Sequence, residues 1–160
     1  MAYRGDALTV VDTSTPLAAN IWTWYGQDQY RWIVLVAELG PVLEFLAATA
    51  QRQRVDIGCC AECNLWSEQL EYLERFVQQF PPRLAPLLHS KLQALLSGGE
   101  ALSREAYGMT LEDNGFEHPQ WQPLREGARE ALELLGWSQV REDIGELAEE
   151  CRAALIKWRE

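Results

Sequence analysis

Histidine is scarce in this chain: His89 and His118 are the only two in 160 residues, and neither stands in a pattern that metal or acid–base chemistry uses. A carboxylate-bridged di-metal centre in a helical bundle wants Glu three residues before His. Those positions hold Pro86 and Gly115, so that centre is excluded in its usual form. There is no His-Glu-x-x-His, no Gly-x-Ser-x-Gly and no glycine-rich phosphate loop. His89 lies in a leucine-rich stretch and reads as a core-edge residue. His118 lies in an irregular segment, where functional side chains concentrate, but no spacing gives it a partner. No catalytic residue is assigned.

Cysteine is nearly as sparse. Cys60 and Cys63 have the CxxC spacing of a zinc knuckle or a redox pair, with Cys59 adjacent. A structural zinc site wants a second close pair, and only His89, His118 and Cys151 remain, widely scattered. At a helix N-terminus Cys60 could act as a thiolate, but no alternation of strands and helices surrounds it. Buried or incidental thiols are the plainer reading, and a zinc or thiol site at Cys60 and Cys63 is the alternative. Cys151 falls on an apolar helical stripe and is expected in the core.

Positive charge is also in short supply: 14 basic against 24 acidic residues give a net charge of −10. Direct nucleic-acid binding, which needs a basic footprint, is thereby disfavoured. Residues 1–60 hold six acids and four bases, residues 61–160 eighteen and ten, so the acidity lies in the second part. Such a surface keeps a protein in solution and suits a basic protein partner reached by electrostatic steering.

The longest apolar run, Arg31 to Gln51, is interrupted by Glu38, Glu44 and Gly40-Pro41. Each carboxylate would add roughly 2.5–3.5 kcal/mol to membrane insertion, if Glu resembles Asp. The run is therefore expected inside a protein core, not a bilayer. The first twenty residues show no basic segment followed by an apolar one, so no secretory signal is visible, and a cytoplasmic location with reduced thiols is expected.

What the chain does have is helical patterning. The run from Trp32 to Leu46 is apolar on nearly every face, which marks a central helix buried on most of its circumference. Asp28 is a plausible N-cap, and Pro41 predicts a kink or a break. The β-branched Ile33, Val34 and Val36 would also suit a short strand, but no partner strand is near. Before it, residues 1–14 form a possible extended arm, and Thr15-Pro16 opens a helix with Leu17, Ile21, Trp24 and Tyr25 as its stripe, ending at Gly26. After it, Gln51 to Arg54 closes the central helix, with Arg52 and Arg54 at its negative end.

A helix bearing Trp66, Leu70, Leu73, Val77 and Phe80 stops at Pro81-Pro82. The next runs from Ala85 to Ser97, and Gly98-Gly99 suggests a left-handed turn after it. Residues 108–122 are irregular. Pro123 opens a helix closed by Gly136, on whose end Trp137 can fold back. Ser138 is placed to cap the last helix, whose stripe is Val140, Ile144, Leu147, Cys151, Ala154, Leu155 and Trp158. The expected fold is a single all-α domain of about five to seven helices.

Aromatic residues are in surplus. Trp22, Trp24, Tyr25, Tyr30 and Trp32 fall within eleven positions, and one helical face cannot bury them all. Phe116 and Trp121 lie beside the acidic pair Glu112-Asp113. Tryptophan and tyrosine are favoured anchors at interfaces. The expected function is thus a non-enzymatic, acidic protein-binding module of the inhibitor, immunity-type or adaptor kind, without cofactor. The expected contact residues are Trp24, Glu112, Asp113, Phe116, Trp121, Glu142, Glu146 and Glu149. Homodimerisation through the aromatic N-terminal helix is compatible with this.

Overall fold

Eight α-helices and no strand are found among the residues that the computed structural model describes, 16–57, 64–80, 85–107 and 115–158. They are α1 (Ile21–Gly26), α2 (Tyr30–Ala47), α3 (Ala50–Asp56), α4 (Glu71–Gln79), α5 (Pro86–Glu100), α6 (Arg104–Tyr107), α7 (Trp121–Leu135) and α8 (Ile144–Lys157). A 3-10 turn, Leu17–Asn20, leads into α1, and a π-helical turn, Leu65–Leu70, leads into α4. The fold is the expected all-α bundle, with the single turn of α6 taking the number of helices past seven. The arm at 1–14, Thr15, Pro81-Pro82 and residues 108–114 of the irregular segment lie outside the described residues.

The central run is α2, and its neighbours explain its composition. Helices α1, α4, α7 and α8 all pack on it, so Ile33, Val36, Leu39, Leu43 and Leu46 reach zero exposure on several faces at once. A helix surrounded in this way has no use for a polar stripe. Helix α5 forms an outer layer over α7 and α4. Among the described residues no helix is long and apolar enough to cross a membrane.

Pro41 does not break α2. Its ring is exposed, and the helix continues to Ala47. Losing one backbone bond and crowding the previous turn costs about 3 kcal/mol, a sum that packing on the other faces offsets. Its neighbour Gly40 has a separate purpose. A Cβ at position 40 would fall within the indole of Trp137, which lies flat on the helix at this point. Trp137, in the 3-10 turn Trp137–Gln139 that follows α7, therefore folds onto α2, not merely onto the end of its own helix.

The two carboxylates of α2 are paired with cations from other elements. Glu38 lies 3.4 Å from Arg75 of α4 and 3.9 Å from Arg152 of α8. Glu44 accepts a hydrogen bond from Trp137 Nε1 and two from Arg141, at 2.8 and 3.3 Å. Partial burial pushes the Glu44 carboxyl up, but the bonds from Arg141 and Trp137 outweigh it and leave the group below its ordinary value. A carboxylate with a depressed folded-state pKa contributes stability above its unfolded value and loses it as pH falls through the folded value. Glu44→Gln should therefore be less stable than wild type at neutral pH, and the gap should close in acid. Urea midpoints across the acidic range check this, and a gap independent of pH would contradict it.

A third polar knot is largely internal. Gln53 of α3 has zero exposure and Arg125 of α7 is 9% exposed. Arg125 Nε donates to the carbonyl of Ala48 at 3.0 Å, and its Nη2 donates to Gln53 Oε1 at 2.8 Å and to the carbonyl of Phe116. Gln53 Nε2 in turn donates to the carbonyl of Phe45 at 3.0 Å. The carbonyls released where α2 ends are thus satisfied by side chains from α3 and α7.

Several local expectations change. Asp28 is not the N-cap of α2; it takes a left-handed conformation, φ 60°, in the turn before it. Gln51 to Arg54 does not close the central helix but belongs to α3, capped by Thr49, whose Oγ1 accepts from the Arg52 amide at 3.2 Å. Gly98-Gly99 makes no left-handed turn. Both sit inside α5, where Cβ atoms would lie 2.8 Å from Leu124 and 2.6 Å from Leu70, so glycine there serves close packing. Helix α7 starts at Trp121, two residues before Pro123, which is tolerated because amides in a first helical turn have no intrahelical acceptor. Residue Asp143, not Ser138, precedes the last helix. His89 is exposed, not core-edge. Gly136, at φ 74°, closes α7 as expected.

Candidate functional interface

The face of α1 that does not pack on the core carries the most exposed aromatic chemistry. Ile21 and Trp24 point inward, Trp22 is turned to solvent, and Tyr25, one turn after Ile21, is half-buried at the margin of the core. At the far end of the chain the apolar stripe of α8 outruns the core. Cys151 is buried, Leu155 half-buried, and Ile156 and Trp158 are exposed. The two ends meet in a row of rings: Trp22 to Tyr25 at 6.5 Å, Tyr25 to Tyr30 at 5.7 Å, and Tyr30 to Trp158 at 5.3 Å. The terminal indoles are 63% and 61% exposed. Scattered apolar side chains on a surface need no explanation, but two exposed indoles joined through two half-buried tyrosines in a contiguous row do.

Carboxylates edge this row. Tyr25 donates its hydroxyl to Glu150 at 3.1 Å, and Tyr30 donates to Asp28 at 2.9 Å. The hydrogen bond to Glu150, reinforced by its charge, raises the Tyr25 pKa; the bond to Asp28 does the same for Tyr30, so both phenols stay protonated. From Glu150 the acidity continues along α8 and the turn before it, through exposed Glu149, Glu146, Asp143 and Glu142. Arg152 is drawn towards Glu149 and Glu38, and Lys157 is the cation of the last helical turn. Acids nevertheless dominate this face.

The expected contact residues divide sharply. Glu142, Glu146 and Glu149 are exposed, Glu146 and Glu149 one turn apart on α8 and Glu142 in the turn before it. Trp24, Phe116 and Trp121 are core residues at 3%, 1% and 0% exposure, and present no surface to a partner. Trp24 packs against Trp32 and Phe80, at 5.6 and 5.7 Å. Phe116 and Trp121 close around Phe45, and Trp121 Nε1 donates to the carbonyl of Ala106 at 2.8 Å. Glu112 and Asp113 lie outside the described residues, as do Cys60 and Cys63. The residues missed are Trp158 and Glu150, together with Trp22, Tyr25 and Tyr30 from a cluster whose surplus over one helical face was visible.

Other chemistry-bearing side chains have structural partners. Cys151 is buried, and burial with the nearby Glu150 charge pushes its thiol up to about 11, so it remains a protonated core group at neutral pH. His118 accepts from the Gln120 amide through Nδ1 at 3.2 Å, while its Nε2 lies 4.0 Å from Glu105. Between α5 and α7 a partly open cleft of about 330 Å³ is floored by Leu95, Leu102 and Leu124, with Lys91 and Gln120 on its rim. Lys91 is paired with Glu130, so the cleft offers apolar volume and little polar chemistry. Among the described residues no group of three or more His, Cys, Asp or Glu could hold a metal ion.

Comparison with known proteins finds no family model, no curated protein and no solved structure that matches this chain.

Proposed function

We propose that this chain is a non-enzymatic, acidic protein-binding module, of the inhibitor, immunity-type or adaptor kind, that covers a basic surface on a protein partner. The single observation behind this reading is the continuity of the Trp22–Tyr25–Tyr30–Trp158 row with the acidic face of α8 through the Tyr25–Glu150 hydrogen bond. Large rings at the centre of a contact supply area at little entropic cost and carry most of the binding energy. Carboxylates around them raise the rate of encounter with a basic surface and reject acidic ones. The interface assigned to this role is therefore Trp22, Trp158, Glu142, Glu146, Glu149 and Glu150, in place of the buried Trp24, Phe116 and Trp121.

The test is capture of partners from the native host at low salt with wild type and with a Trp22→Ala, Trp158→Ala double variant. A basic protein retained by wild type, released by added salt and weakened about 30-fold or more in the double variant is the expected result. Failure of wild type to retain any protein, or equal retention by the variant, would count decisively against the reading. Light scattering of the free protein identifies the remaining possibility, that the row is buried between two copies of this chain.

A further inference from the structure

We infer that the aromatic row is a receptor for arginine side chains, so that the partner's basic surface is read by guanidinium shape as well as by charge; this rests on the protein-binding reading above. Three features of the row favour a planar cation. None of its ring pairs is a face-to-face stack, the interplanar angles being 76°, 56° and 46°, so pairing does not consume both faces of the outer indoles. Their exposure leaves room for a flat group to lie on them. Carboxylates stand at the edges of the inner rings, Glu150 at Tyr25 and Asp28 at Tyr30.

A guanidinium can use both kinds of surface together. It stacks its face on a ring while its in-plane N–H groups donate to a carboxylate at the ring's edge. A lysine ammonium is compact and strongly hydrated, and must give up more water to gain either contact. The molecule already holds one guanidinium by a ring and a carboxylate together. The Arg75 guanidinium sits 5.1 Å above the Tyr72 ring while its Nη2 donates to Glu71 at 3.0 Å. The row offers both elements along its length, exposed ring faces at Trp22 and Trp158 and carboxylates at the hydroxyls of the half-buried Tyr25 and Tyr30 between them, with the arginine left to be supplied by the partner.

Oligo-arginine and oligo-lysine peptides of equal length are the probes, titrated against the full chain with affinity read by calorimetry and the indole N–H signals by NMR. Oligo-arginine should bind about tenfold more tightly and shift the signals of Trp22 and Trp158. The Trp22→Ala, Trp158→Ala variant should bind both peptides equally, while Glu146→Gln, Glu149→Gln should weaken both and keep the ratio. Both indoles are exposed, so an unchanged melting temperature verifies that the variants fold. Equal wild-type affinities for the two peptides would overturn arginine recognition and leave the basic-partner reading standing. Binding of neither peptide would overturn both. Self-association that the double Trp variant abolishes, and that the peptides do not displace, would assign the row to a second copy and overturn the inference as well.

Discussion

Gly40→Ala should be among the most damaging single substitutions in the chain, lowering stability by about 3 kcal/mol and the melting temperature by roughly 10 °C. Helix propensity alone points the other way, since alanine is favoured over glycine by about 1 kcal/mol in a helix interior. Geometry decides against propensity. The added methyl would occupy the space of three Trp137 ring atoms, and no rotation of a rigid indole yields that room without leaving the helix. Displacing Trp137 forfeits a side chain that is 95% buried and breaks its hydrogen bond to Glu44.

A double-mutant cycle separates this cause from a general weakness of the Gly40-Pro41 region. In a Trp137→Ala background the Gly40→Ala change should become neutral or stabilising, because the obstacle has gone and only propensity remains. If Gly40→Ala costs the same with and without Trp137, the glycine is needed for some other reason. Binding of basic peptides should be unaltered in any Gly40 variant that stays folded, since the aromatic row is built from α1, the start of α2 and the end of α8.

The central helix was legible because a run that is apolar on every face can be satisfied only by neighbours on every side. The stripe of α8 and the left-handed Gly136 were legible for similarly local reasons. The positions where helices stop were not. Asp28 resembles an N-cap by residue type, yet the turn uses its tolerance of positive φ and its carboxylate to hold Tyr30. Gly98 and Gly99 resemble a stop signal, yet they are packing sites for Leu124 and Leu70. Local chemistry is the same in each pair of readings, and tertiary contacts choose between them.

The interface follows the same logic. The surplus of aromatic residues between Trp22 and Trp32 is plain in the sequence, but which rings are surplus depends on which face of α1 meets α2. Phe116 and Trp121 looked like surface anchors because they border an acidic, irregular segment. Instead they wrap Phe45 near the end of α2. Trp158 belongs by periodicity to a core stripe. It becomes exposed only because α8 extends past the core, and nothing within α8 itself records where the core ends.

Arg125 is the residue whose role is least visible in sequence, and Arg125→Leu should cost about 3–5 kcal/mol. In the segment Leu124–Glu130 it looks like one more charged position beside an apolar stripe, yet it is 9% exposed. Burial, with the charge of Arg129 nearby, lowers its pKa, but a guanidinium stays protonated in a folded protein. Removing it leaves the carbonyls of Ala48 and Phe116 and the Gln53 amide oxygen without this donor. Each stranded buried acceptor costs about 1–3 kcal/mol, and partial access of water relieves some of that. Arg125→Lys should recover little, because a single ammonium cannot span three acceptors held by three different elements. Adding Gln53→Leu to Arg125→Leu should cost less than the sum of the two, since the amide oxygen is then no longer stranded. Hydrogen exchange should show protection lost first in the 3-10 turn at Gly115–Glu117 and in α3, the pieces that Arg125 ties to α7. A leucine variant within about 0.5 kcal/mol of wild type would mean that water replaces the guanidinium at no net loss and that the knot is not a structural tie.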